Sequence, residues 1–280
     1  MPLLYEGCTI ALATMHQKEQ VIAPIFKQAL GALVVASPLN TDAFGTFTRD
    51  IQRPGSQIDA ARIKAQKALE MTGLELALAS EGSFGPHPEI PYVAGNREVV
   101  LFLDLGRGLE IIGEHLSTDT NYSHTQVSSL AEAEVFAQKV GFPEHGLVVM
   151  PHSHSTEHIY KGITDPSALK SAIALAQTFS PNGKVHIETD MRAMYNPTRM
   201  RVIAQATQTL VAKISSLCPQ CATPGFSIKD VKLGLTCSLC GLPTSLPRSL
   251  IYGCLKCEFT QEKPTGQEFA DPAHCPYCNP

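Results

Sequence analysis

Eight of the nine cysteines fall into four Cys-x-x-Cys pairs, all beyond residue 217: Cys218/Cys221, Cys237/Cys240, Cys254/Cys257 and Cys275/Cys278. A two-residue gap lets two thiolates face one ion from a tight turn, and two such knuckles complete a tetrahedral four-thiolate shell. The intervals between the knuckles of each half are 15 residues (222–236) and 17 residues (258–274), within zinc-ribbon spacing. The expectation is two structural zinc sites, the first knuckle with the second and the third with the fourth. Pairing first with third and second with fourth uses the same residues and stays open. A closed four-thiolate shell holds structure rather than catalysing, and the usual work of such ribbons is docking to a protein or nucleic-acid partner. No run of closely spaced cysteines matches ferredoxin spacing.

The other candidate chemistry lies where apolar runs end. Thr14, His16 and Lys18 follow the first such run; Asp42, Thr46 and Thr48 sit in a polar loop after the second. Glu81, Ser83 and His87 follow the third, in a stretch of small residues closed by Pro86-His87-Pro88. Glu188, Asp190 and Arg192 follow a later run, and Arg199 lies just inside the last helix. Hard oxygen donors such as Asp42 and Glu81 suit magnesium, which shares phosphate oxygens. A lysine at a helix start suits phosphate itself. Neither a Walker A nor a G-x-G-x-x-G sequence is present. His152, His154 and His158 form an H-x-H pattern with a third histidine four residues on, which suits either a transition metal or a solvated turn.

These residues need a scaffold, and the chain is long enough for two domains: 280 residues, 44% hydrophobic and 17% charged, a globular composition. Cys8–Ala13 and Ala32–Ala36 read as buried strands flanking a helix from Gln20 to about Leu30. Ser56, with Asp59 three residues on, opens a helix that Gly73 closes. Leu76–Ala79 is then a strand delivering Glu81 into a glycine-rich turn. Val99–Leu103 and Glu110–Glu114 flank Gly106-Arg107-Gly108, a hairpin signal. Further helices are expected at 130–140, 166–179 and 197–216, and strands at 146–150 and 184–188. The order argues an α/β fold with a mixed, partly parallel sheet over 1–216, followed by a small zinc-ribbon domain over 217–280.

Net charge is −4, and from residue 217 onward five Lys/Arg balance five Asp/Glu, so neither part is a basic nucleic-acid domain. The amino terminus has no basic leader and no run reaches membrane-spanning length, so a soluble, cytoplasmic protein without a membrane partner is expected.

The stretches ALATMHQKEQVIAP, NTDAFGTFT, ASEGSFGPHP and NPTRM, followed by the cysteine knuckles, resemble a bacterial family of α/β proteins with a C-terminal zinc-ribbon region and no assigned activity. More distantly, RIKAQKALEMTGLELALASEGSFG is similar to the segment of inosine triphosphatase-like and Maf-like nucleoside triphosphate pyrophosphatases in which a KA-containing helix leads to metal-binding carboxylates. Glu81-Gly82 looks like the EGG turn of the inosine triphosphatase branch. The resemblance covers about the first 115 residues. It implies an inosine triphosphatase-like fold with a cleft where Mg2+-bridged phosphates undergo water attack, Lys18 holding phosphate, Lys64 on the cleft helix, and Glu81 binding metal or acting as base. Thr14-Met15-His16-Gln17-Lys18 is one residue shorter than that family's Thr-x-Asn-x-x-Lys, and its closing Ser-His-Arg is absent; Asn196-Pro197-Thr198-Arg199 is the counterpart here. The function implied is a Mg2+-dependent hydrolase of a nucleotide or other phosphorylated small molecule. A zinc-ribbon adaptor that senses a ligand without turnover is the alternative.

Overall fold

In the computed structural model, which describes residues 3–40 and 55–280, the first strand, β1 (Thr9–Ala13), is buried from Ile10 onward. An apolar run of this kind suits a parallel strand covered on both faces. Helix α1 (Glu19–Leu30) buries Ile22, Phe26 and Leu30 at four-residue spacing, runs through Pro24, and ends at Gly31 in the left-handed region. It leads to β2 (Leu33–Ala36), parallel to β1. Helix α2 (Gln57–Thr72) opens with the expected capping box, Ser56 and Asp59 exchanging hydrogen bonds, and closes at Gly73 with φ 68°. Its buried face is alanine-rich, as is the sheet beneath it. Ala61, Ala65 and Ala68 pack on Ala11, Ala13, Ala77 and Ala79, so helix and sheet approach closely.

Strand β3 (Leu76–Pro86) lies parallel to β1 and antiparallel to β4 (Ala94–Asp104), which forms a hairpin with β5 (Leu109–Ser117). The sheet order is β2-β1-β3-β4-β5. Here the structure corrects the glycine-rich turn: Glu81, Gly82, Ser83 and Gly85 all belong to β3 and pair with β4. Gly82 is required by space, since a Cβ there would lie 2.5 Å from Arg199 Nη2 and collide with the Glu98 carboxylate. Gly82→Ala is expected to cost about 1–3 kcal/mol, the range for overpacking a filled interior, measurable as a lowered urea midpoint.

A second, antiparallel sheet, ordered β6-β9-β7-β8, comprises β6 (His124–Val127), β7 (Leu147–Met150), β8 (Tyr160–Ile163) and β9 (Val185–Thr189). Its apolar face packs on α3 (Leu130–Lys139) and α4 (Pro166–Thr178). Helix α5 (Pro197–Ser215) presses against β5 at Gly113, where a Cβ would strike the Ala206 carbonyl and the Leu210 amide.

The chain divides into two compact units, Met1–Val211 and Ala212–Pro280. In the second, β10 (Ser227–Leu233), β11 (Pro247–Gly253) and β12 (Thr260–Pro264) form an antiparallel sheet of that order. Among the described residues, no helix is long and apolar enough to cross a membrane.

Candidate functional site

The knuckles occupy the ends of the three-stranded sheet. The first precedes β10 and the third follows β11; Ser227 pairs with Gly253, so these two knuckles meet at one end. The second knuckle follows β10 and the fourth comes after β12. Leu233 pairs with Pro247, and Ser249 with Pro264, which brings these two to the opposite end. The groups are therefore Cys218, Cys221, Cys254, Cys257 and Cys237, Cys240, Cys275, Cys278. This overturns the sequential pairing. A seven-residue strand lies between the first and second knuckles, and at about 3.3 Å per residue it carries the chain more than 20 Å away.

The Sγ atoms are 3.7 Å apart for Cys218–Cys257, 3.6 Å for Cys221–Cys254, 3.9 Å for Cys237–Cys278 and 3.6 Å for Cys240–Cys275. A tetrahedron with zinc–sulfur bonds of about 2.3 Å has edges of about 3.8 Å, whereas a disulfide needs about 2.05 Å. Amides of Lys256 and Cys257 donate to Cys254 Sγ at 3.3 Å, and that of Leu239 to Cys237 Sγ at 3.4 Å, which favours thiolates. Cys221 is drawn down to about 6, chiefly by its hydrogen bond with the Thr223 hydroxyl. Cys278 is pushed up to about 12 by its hydrogen bond with Cys240 and by burial. Four thiols this close resist ionising together, and a divalent cation offsets that repulsion. Both groups could hold zinc.

In the first unit, β1 ends beside Ala79 while β3 runs on, so that among the described residues no strand pairs with that edge of β3 from Ser80. Lys18, the residue before α1, fills it: Nζ donates to the Ser80 carbonyl at 2.8 Å, and the side chain is buried. In an order of 2-1-3, the connections of β1 and β3 leave in opposite directions. The C-terminal ends of strands at such a switch in direction are where open α/β sheets bind ligands.

Side chains alternate along β3 and β4, so Glu81 points to the α2 face, and Glu98, which pairs in register with Gly82, to the α5 face. Glu81 is buried and ion-paired with Lys64 of α2, and Gln57 Nε2 donates to its backbone carbonyl at 2.6 Å. Glu98 is fully buried against Arg199, whose Nε donates to Oε1 at 2.7 Å. Arg199 Nη1 also donates to the Met191 carbonyl at 2.5 Å, and the guanidinium lies 5.4 Å from the Phe84 ring. Asn196 caps α5 by accepting the Arg199 amide at 2.9 Å, which fixes the arginine in the helix's first turn.

Lys18 feels all four of these charges. Burial lowers its pKa most, Arg199 next and Lys64 least, against the upward pull of Glu81 and Glu98; the result is about 7. Between that value and the ordinary lysine value of 10.5, the unfolded chain holds a proton that the folded chain does not. Stability therefore rises with pH across that window, and the penalty is full below pH 7. Urea melts from pH 6.5 to 9.5 are expected to show this rise in the wild type, at a slope approaching about 1.4 kcal/mol per pH unit, and a flatter profile in Lys18→Met.

Of the other residues expected at the site, Thr14 and His16 are buried beside Lys18, with Thr14 Oγ1 accepting the His16 amide at 3.3 Å. Ser83 is exposed, and His87 Nδ1 accepts the Glu89 and Ile90 amides, closing the β3–β4 turn. Neither joins the cluster, because β3 continues five residues beyond Glu81. Arg192 pairs with buried Asp190 and stacks on Tyr195. Asp42, Thr46 and Thr48 lie outside the described residues. His158 stacks flat on Phe179 at 3.6 Å and His152 accepts the His154 amide. No metal-binding group of three donors forms there among the described residues. The sequence reading missed Glu98 and the fully buried Asn96. The available signal was a carboxylate sharing parity with buried Val100 and Phe102 at the start of the apolar run VVLFL.

Fold and sites define a mixed α/β protein with a buried charge cluster in one unit and, in the other, two four-cysteine groups that could hold metal ions. The chain belongs to the family described as Domain of unknown function (DUF6671), whose profile matches residues 64–280. That span holds Lys64, Glu81, Glu98, Arg199 and all eight knuckle cysteines, while Lys18 precedes it. No curated protein matches the chain.

Proposed function

We propose that the first unit binds the phosphoryl group of a nucleotide or other phosphorylated small molecule at the C-terminal ends of β1 and β3, and hydrolyses it with Mg2+. The observation that supports this reading is the set of charges buried near the C-terminal ends of β1 and β3: among the described residues, Lys18, Lys64 and Arg199 lie with Glu81 and Glu98. With Lys18 protonated, this set carries one more positive than negative charge, and an anionic ligand favours that protonated state. Lys18 is the cation that donates to β3, at the Ser80 carbonyl. Lys64 fixes the orientation of Glu81, which serves as base for the attacking water or as a Mg2+ ligand, with Asp42 the second carboxylate for the ion. The likeness of the Arg62–Gly85 segment to nucleoside triphosphate pyrophosphatases supports the same assignment. In the second unit, we assign two structural Zn2+ ions to the four-cysteine groups.

A panel of nucleoside triphosphates, assayed with Mg2+ for phosphate and pyrophosphate release, tests this. Turnover is expected for at least one, falling at least a hundredfold in Glu81→Gln. Absence of both turnover and any ligand-induced rise in melting temperature would remove the small-molecule site. A second reading, a ligand-sensing adaptor, is favoured by the exposed knuckle residues Leu239 and Tyr277, at 73% and 63% of full exposure. Tight ligand binding without turnover supports that reading.

A further inference from the structure

We propose that the second sheet of the first unit carries a third metal site, a three-donor site for a divalent first-row transition ion built from His124, His186 and Glu188. Register puts the three residues on one face. His124 of β6 lies directly opposite Glu188 of β9, and His186 precedes Glu188 by two residues on the same strand. Directly opposed residues have Cβ atoms about 4.5–5.5 Å apart and diagonal neighbours about 7–8 Å, distances that imidazole and carboxylate side chains span to a common ion. Donors sharing an ion at about 2.1 Å lie about 3.0–3.4 Å from one another. His186 Nε2 and Glu188 Oε2 already stand at 3.0 Å. The His124 and His186 rings are 5.5 Å apart between centroids and tilted by 32°. His124 is exposed; the three donors do not form one group in this structure, and rotation of the His124 side chain is required to bring the third donor in.

The surroundings suit a cation with exchangeable ligands. On the far side of β9, Val148 and Met150 pair with Glu188 and His186 and are almost completely buried, giving the face an apolar floor. The β6 side is open, with Tyr122 against His124 at 6.3 Å between rings, which leaves room for water on the ion. Two imidazoles and one carboxylate select manganese, iron, cobalt or zinc over magnesium. Unlike the closed thiolate shells, this site keeps positions free, as catalytic metal sites do. It is independent of the assignment of Lys18 and Glu81, and its test reads metal content rather than turnover.

The full-length chain, with zinc in both cysteine groups, is titrated with Mn2+ while free Mn2+ is followed by EPR, and separately with Co2+ followed by its d–d absorption. One further ion per chain is expected, with affinity at least tenfold weaker in His124→Ala and in Glu188→Gln. Unchanged circular dichroism in His124→Ala, an exposed position, separates loss of a ligand from loss of fold. Failure of the wild type to bind either ion overturns the proposal. Binding that survives both substitutions overturns it as well, as does binding lost only in His152→Ala or His154→Ala.

Discussion

Removing metal from the full-length chain with a chelator under reducing conditions is expected to unfold residues 212–280 while the secondary structure of the first unit persists, as followed by circular dichroism. The reason is the composition of the smaller unit's interior. One buried cluster there consists of Cys218, Cys254 and Phe226, with Tyr252, Cys257 and Phe259 partly buried around it, so half of its members are candidate metal ligands. A core of that size does not carry a fold of about seventy residues unaided, whereas a structural zinc supplies about 10–16 kcal/mol of apparent binding free energy. Paired substitutions read the connectivity. Cys218→Ser with Cys254→Ser damages one group and leaves one zinc bound; Cys218→Ser with Cys237→Ser damages both and leaves none. Elemental analysis of the purified variants checks this, and the reverse pattern would restore the sequential pairing.

Arg199→Met is the second substitution with a large expected effect. It leaves Glu98 at zero side-chain exposure without its guanidinium, and breaking a buried pair from one side costs about 3–5 kcal/mol. The loss of the donor to the Met191 carbonyl adds to it. Replacing both partners, Glu98→Leu with Arg199→Met, removes the stranded charge and is expected to recover most of that stability. Urea denaturation of the two single variants and the double variant measures the coupling. Additive losses would mean that the two side chains do not interact.

Local signals in the sequence specified local structure well. Ser56 with Asp59, Gly73, and the hairpin around Gly106 to Gly108 all lie where the sequence reading put them, because caps and tight turns depend on backbone geometry within a few residues. Two features depended on partners far along the chain. Gly82 reads as a turn residue, yet it sits in a strand because Arg199, more than a hundred residues later, needs the volume a side chain would take. The knuckle pairing depends on β10, whose exposed, charge-rich sequence SIKDVKL hides a strand inside what reads as a ribbon loop. Lys18, Lys64, Glu81 and Arg199 were each legible as candidates. That the other three all act on buried Lys18 follows from strands and helices far apart in the chain, which no single segment encodes.

Calorimetry of pyrophosphate binding at pH 8, repeated in two buffers of different ionisation enthalpy, tests the central claim most directly. An anion seated beside Lys18 raises its pKa from about 7, so binding takes up close to about one proton per site, and Lys18→Met abolishes that uptake. Pyrophosphate binding with no proton exchange, or uptake that persists in Lys18→Met, would contradict a phosphoryl site at the ends of β1 and β3.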